Sequence, residues 1–323
     1  MARSTSDNGL DFAAPRIQWP EGKTFAFTIF DDPDFQTVER AGPVYDYLSD
    51  LGFRTTKGAW PGDDSLPDAE RRVTCADRAY FAWVQKLQER GFEIGWHGTS
   101  PRTSLRPETL AGFERFRELF GNWPKTMSQH YDCSENLYWG DDRLTSPSHR
   151  FVYNVLTRWK YHSTYYGHVP GHPMYWSDLC RERVTYVRNF VFSNINTLAA
   201  CPFMPYHDPA RPDVNYWYSS SEGHNVDSFT AMLSEPNQDR LEAEGGACIM
   251  YTHFAYRFTE NGALDRRFHD LMARLSKKNG WFVPVSTLLD YLAAAQGPTT
   301  ISPELRRALE RRWLIHKVRF GNA

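Results

Sequence analysis

Two rhythms of apolar positions alternate along the first hundred residues. The run "KTFAFTIF", between Gly22 and Pro33, predicts a buried strand carrying Phe25, Phe27 and Phe30. In "QTVERAGPVYDYLSDLGF", the helical spacing of apolar residues predicts an amphipathic helix that stops at Gly52. A short strand, "RTTKGAWP", is closed by Pro61 and the turn-rich "GDDSLPD" at 62–68. Tyr80, Phe81, Val84 and Leu87 mark one face of a helix ending at Gly91, and "FEIGWH" returns to strand. Two strand-helix-strand passes predict an α/β fold on parallel strands.

A further helix is predicted in "PETLAGFERFRELFG". From about 140 to 240 the chain is rich in Tyr, Trp, Asn, Pro and Ser without a clean period, and no element is assigned there. Order returns in the strand "GACIMYTHF", the helix "DRRFHDLMARLSKKNG", the strand "WFVPVS" and the helix "TLLDYLAAA". The tail "SPELRRALERRWLIHKVRF" opens with Ser302, Pro303 and Glu304, a good helix start. Its basic residues predict a solvated helix packed through Leu305, Leu309, Trp313 and Ile315, with a protein or lipid-headgroup contact as the alternative.

Composition narrows the function classes. Lys and Arg (37) nearly balance Asp and Glu (39), so no overall field favours a nucleic acid polymer or an anionic membrane. Five widely spaced cysteines without a C-x-x-C pair fit reduced thiols rather than a disulfide frame or thiolate zinc site. No apolar leader or membrane span is apparent, and a cytoplasmic location is expected. The 11 Trp, 17 Tyr and 21 Phe supply rings suited to a core or to stacking on a sugar, with Trp60, Tyr206 and Trp217 as candidate platforms.

Three strands end in groups of one chemical kind: Asp31 and Asp32, then His97, then His253. In parallel α/β barrels such ends converge on one face, and carboxylate with imidazole suits zinc, iron, manganese, cobalt or nickel. Adjacent carboxylates repel, so Asp31 and Asp32 ask for a cation or a shared proton. His130 is a fourth candidate. Asp34 reads as the polar end of a Pro-containing turn or as an extra ligand, the turn being preferred.

In their order, "FTIFDDPD", "FEIGWHGTS", "CIMYTHF" and "NGWFVPVSTLLDYL" resemble the motifs of NodB-type polysaccharide deacetylases, carbohydrate esterase family four. "RTTKGAWP", "ENLYWGDDRL", "YVRNFVFSNINTL" and "MPYHDPARPDVNYWYSSSEG" resemble its WbmS-like subgroup, found among bacterial surface-polysaccharide genes. The resemblance implies a distorted (β/α) barrel over 22–292, between a lead segment (1–21) and a basic helical tail (293–323). It also implies one divalent metal, zinc first, with Asp31 as general base, Asp32 and His97 as metal ligands and His253 as general acid. The reaction implied is removal of an N-acyl group, acetyl first, from a sugar of a surface polysaccharide or its nucleotide- or lipid-linked precursor.

The chain departs from the pattern at Pro101, where a second metal histidine is expected, and lacks the arginine motif that orients the base. His130 is therefore expected as the third ligand, and Arg188 as the residue that holds Asp31. Two other readings stay open. One is a sugar-binding or scaffold protein on the same fold. The other is a metal-free glycosidase, which would need carboxylates at least ~5 Å apart and is disfavoured by adjacent acids facing opposite sides of a strand.

Overall fold

The computed structural model describes residues 15–62, 73–297 and 299–321. Residues 63–68 of the expected turn and 1–14 of the lead lie outside them. Seven parallel strands close into a barrel: β1 (Phe25–Asp31), β2 (Thr56–Ala59), β3 (Glu93–Trp96), β4 (Thr126–Met127), β5 (Tyr186–Phe192), β6 (Tyr216–Ser221) and β7 (Ala247–Thr252). Each pairs with the next, and β7 closes on β1 from Ala26↔Ala247 to Asp31↔Thr252. The register between β5 and β6 shifts just past Arg188, a bulge that bends the strand where this side chain enters the site.

Alternation along β1 sorts its side chains into two cores. Phe25, Phe27 and Ile29 pack with Val44, Tyr45 and Leu48 of the helix Val38–Asp50, whereas Ala26 and Phe30 join the core containing Trp96 and Met127. The Phe30 ring lies across two strand glycines. A Cβ on Gly95 would stand 2.8 Å from Phe30 Cζ, and one on Gly58 3.2 Å from Phe30 Cε1. Gly95→Ala is therefore expected to cost ~1–3 kcal/mol through overpacking. Urea unfolding tests this; an unchanged midpoint would mean that Phe30 moves aside freely.

The segment expected to be irregular holds short helices, among them Pro147–Leu156 and Ser177–Arg183, and the excursion 128–185 between β4 and β5 passes over the carboxyl-end mouth of the barrel. The tail forms one helix, Pro303–Phe320, seated on the barrel. Leu309 and Trp313 are fully buried as expected, but Ile315 is exposed, and polar side chains do much of the anchoring. Buried Glu310 accepts from the Thr145 amide and hydroxyl, both at 2.7 Å, and lies 3.0 Å from His149 Nδ1. All five cysteines are buried, and none is in a disulfide. Among the described residues no helix is long and apolar enough to cross a membrane.

Candidate metal and catalytic site

A cavity of about 230 Å³ opens at the carboxyl ends of the strands, lined by Asp32, Asp34, His97, His130, Arg188 and His253 among others. A larger groove of about 570 Å³ runs past Glu93, Lys125 and Thr185 at the amino ends. It gathers none of those histidines and aspartates. Since functional groups of parallel barrels collect at the carboxyl ends, the smaller cavity is the candidate site.

Asp31 and Asp32 part company at the end of β1. Asp31 turns toward the surrounding helices, where its carboxylate accepts from the Tyr45 hydroxyl (2.7 Å), the Gln36 amide and the Phe254 backbone N–H (2.8 Å). Burial raises its pKa to about 6, against the pull of the Lys57 ammonium and these donors. Asp31 does not line the cavity. Asp32, one residue on, faces inward. Arg188 grips it through two contacts of 2.7 and 3.3 Å, and the Ser128 hydroxyl donates to it at 2.6 Å. Burial opposes its charge, but Arg188 together with His97 and His253 holds the carboxyl below its usual range. Arg188 thus pairs with Asp32 rather than with Asp31 as expected.

Asp34, read from sequence as a turn residue, stands among three imidazoles. Its Oδ1 lies 2.8 Å from His130 Nε2, and its Oδ2 lies 3.3 Å from His97 Nε2 and 3.4 Å from His253 Nε2. The hydrogen bonds behind these rings fix which nitrogens face it. Ser128 gives its single proton to Asp32, so at 2.7 Å its oxygen accepts from His97 Nδ1–H. That leaves a bare lone pair on His97 Nε2, pointed at a carboxylate oxygen. Both atoms, His97 Nε2 and Asp34 Oδ2, are buried and lack a hydrogen-bond partner. His253 Nδ1 donates to the His224 carbonyl at 2.9 Å, which likewise turns Nε2 toward Asp34.

Two facing lone pairs repel unless a proton or cation lies between them. Ligand atoms bound tetrahedrally at ~2.0–2.2 Å from one cation sit about 3.3–3.6 Å apart, close to the separations around Asp34 Oδ2. Atoms of Asp32, Asp34 and His97 can all be chosen within 4.8 Å of one another, but Asp32 already has a guanidinium as its counter-charge. The buried group Asp32, Asp34 and His97 could thus hold a divalent cation, with His130 against the other oxygen of Asp34. Ser128 links His97 to Asp32, the usual way in which a ligating imidazole is oriented. Ser128→Ala is expected to weaken metal affinity ~10- to 100-fold without unfolding the chain, as measured by competition with a chromophoric chelator. Equal affinities would remove the relay from the site.

The remaining expected residues divide. Trp60 is fully buried behind the imidazoles: its Nε1 donates to the His97 carbonyl at 3.0 Å, and its ring centroid lies 5.6 Å from those of His97 and His130. Tyr206 and Trp217 are buried away from the cavity. The rings that line it are Tyr131, Trp139, Tyr153, Tyr161 and Tyr251, with His224 beside them. Arg143, from the "ENLYWGDDRL" motif, and Lys317, from the basic tail, also reach it, and no local pattern puts either at the site.

No protein-family model and no curated protein sequence matches the chain. Solved structures do. One from Mycobacterium smegmatis, assigned as a polysaccharide deacetylase, aligns at 12% identity and TM-score 0.50 over 90% of this chain and 97% of that one. The barrel is of the polysaccharide deacetylase type. A Pseudomonas aeruginosa PAO1 chain with the same assignment aligns at 11% identity and TM-score 0.51, over 87% of this chain and 94% of that one. Puue allantoinase gives 11% and 0.51, over 89% and 96%. At these identities the likeness establishes the fold, and one barrel serves more than one chemistry.

Proposed function

We propose that the protein is a metal-dependent amidohydrolase that removes an N-acyl group, acetyl first, from a sugar. The observation that carries this reading is the buried lone pair of His97 Nε2 set against Asp34 Oδ2, with His130 and His253 beside them. Asp34, His97 and His130 would hold the cation. When bound, such an ion polarises a carbonyl and acidifies a water. The roles given to the first acids of the motif shift, the base by one place and the ligand by two: Asp32, kept ionised by Arg188, accepts the proton of the attacking water, and Asp34 replaces Asp32 as ligand. Asp31 becomes a positioning residue that ties the end of β1 to the Phe254 amide, next to His253.

His253 completes the proton path. Burial opposes its charge, but without a bound cation the nearby carboxylates of Asp34 and Asp32 raise its pKa to about 9, and Asp32 still favours the charged form when Asp34 is engaged. In that form it can give a proton to the departing amine, so the proton lost to Asp32 is matched by one delivered to nitrogen. Acetate and an amino sugar result. The scaffold reading rested on Pro101 in place of a ligand; the position of His130, 2.8 Å from Asp34 Oδ1, supports the catalytic reading over it.

The motif resemblance supports a WbmS-like deacetylase acting on a nucleotide- or lipid-linked precursor in the cytoplasm, with zinc as the first metal to try. Elemental analysis, followed by acetate release from UDP-N-acetylglucosamine and N-acetylglucosamine with and without chelator, tests the reading. Metal at about one ion per chain and chelator-sensitive release are expected. A folded protein that takes up no divalent ion from the dialysis buffer would end it.

A further inference from the structure

Beyond the metal-binding residues, the cavity is lined by a buried guanidinium whose donors its own carboxylates do not answer, and by a lysine of the terminal helix. Asp32 is paired with Arg188, and Asp34 belongs to the imidazoles. Arg143 is only 3% exposed, and its Nε and Nη2 have no hydrogen-bond partner. Its guanidinium carbon lies 3.3 Å from the Trp139 ring centroid, so the plane is held by stacking while its N–H edges stay unused. Burial pushes its pKa down to about 10. Lys317, on the terminal helix, sits with its ammonium 5.9 Å from the Tyr153 ring. Burial and the neighbouring Arg143 charge lower its pKa to about 8, with Glu222 the acid that acts against them.

Leaving an arginine buried with open donors is costly unless something fills them. The surrounding structure fixes it in place. Arg211 donates through Nη2 to the main-chain carbonyls of Asp142 and Arg143, so the loop that carries Arg143 cannot swing out. Asp208 binds Arg211 at 2.8 Å and accepts from Arg306 Nε at 2.9 Å, which ties this loop to the helix carrying Lys317. Gly140, at φ +61, allows the turn: a Cβ there would lie 2.6 Å from the Tyr161 carbonyl.

We propose that Arg143 and Lys317 form a subsite for an oxyanion on the substrate, a carboxylate or phosphate carried by the sugar, with Trp139, Tyr153 and Tyr161 as its walls. Arg143 donates in plane to two oxygens, as its fork suits, and Lys317 adds a point charge from the helix. The inference rests on the amidohydrolase reading for the fate of the sugar, but the binding itself is measured without turnover.

Calorimetry on the full chain compares N-acetylglucosamine 1-phosphate, N-acetylglucuronosamine (the 6-carboxylate analogue) and neutral N-acetylglucosamine. At least one anionic sugar is expected to bind roughly 10- to 100-fold more tightly than the neutral one. Arg143→Gln is expected to erase that difference while leaving the affinity for the neutral sugar in place. Lys317→Met, on a partly exposed helix face, should reduce it several-fold and serves if Arg143→Gln does not fold. The two anionic sugars separate carboxylate from phosphate, and inorganic phosphate as competitor shows whether the sugar is needed. Equal affinity of wild type for all three sugars, or a variant that weakens neutral and anionic sugars alike, overturns the subsite. Tight anionic binding without acetate release instead leaves the subsite standing and defeats the deacylase reading.

Discussion

Asp34→Asn is expected to empty the metal site, whereas Asp32→Asn leaves it filled and removes catalysis. An amide at 34 sets a neutral oxygen or an N–H donor among His97, His130 and His253 in place of the anion that now approaches all three. Metal per chain should fall close to zero, and turnover by ~10³-fold or more, since several kcal/mol of charge stabilisation goes with the ion. Asp32 is different because its charge is balanced by Arg188. Its amide variant should keep about one ion per chain and lose ~10²- to 10⁴-fold in turnover, the range of a general base. Mass spectrometric metal analysis beside acetate release reads both. If Asp32→Asn loses the metal and Asp34→Asn keeps it, the roles return to the order of the motif resemblance. His130→Ala belongs to the same series, and full metal content there would remove it from the ligand set.

Asp208→Asn is expected to cost ~3–5 kcal/mol of stability, the usual penalty for removing one partner of a buried ionic cluster. Asp208 is fully buried and accepts from both Arg211, which is 3% exposed, and Arg306. One carboxylate balances two guanidinium groups, so its loss leaves two buried cations and frees the 140–143 loop from the terminal helix. Urea unfolding followed by tryptophan fluorescence measures the change. A loss below ~1 kcal/mol would mean that solvent reaches the two arginines and that the cluster does not hold the tail.

The barrel was legible because its strands are short apolar runs set between amphipathic helices, and β1, β2, β3 and β7 lie where those runs predict. His97, His130 and His253 were legible for a related reason: each follows a predicted strand or the segment after it, and parallel strands bring their ends to one face. The split between Asp31 and Asp32 follows from a period of two, so one of them had to face inward. Which one depends on closure. Only when β1 sits between β2 and β7 does Phe30 cross the strand glycines inside the barrel, carrying Asp32 with it and leaving Asp31 beside Tyr45.

Asp34 escaped because an Asp after Pro33 is the ordinary chemistry of a turn, and its three imidazole neighbours lie 63 to 219 residues away in sequence. Arg143 and Lys317 come from an excursion and a tail whose positions are set by Arg211, Asp208 and Arg306, ion pairs between distant segments that no local pattern encodes. By itself the sequence determined the strand-helix rhythm, the parallel barrel and the residue types at its mouth, because local periodicity and side-chain alternation are properties of neighbouring residues. The tertiary structure alone decided which carboxylate meets the imidazoles and which cations wall the cavity, because those choices depend on burial and charge pairing between segments far apart in the chain.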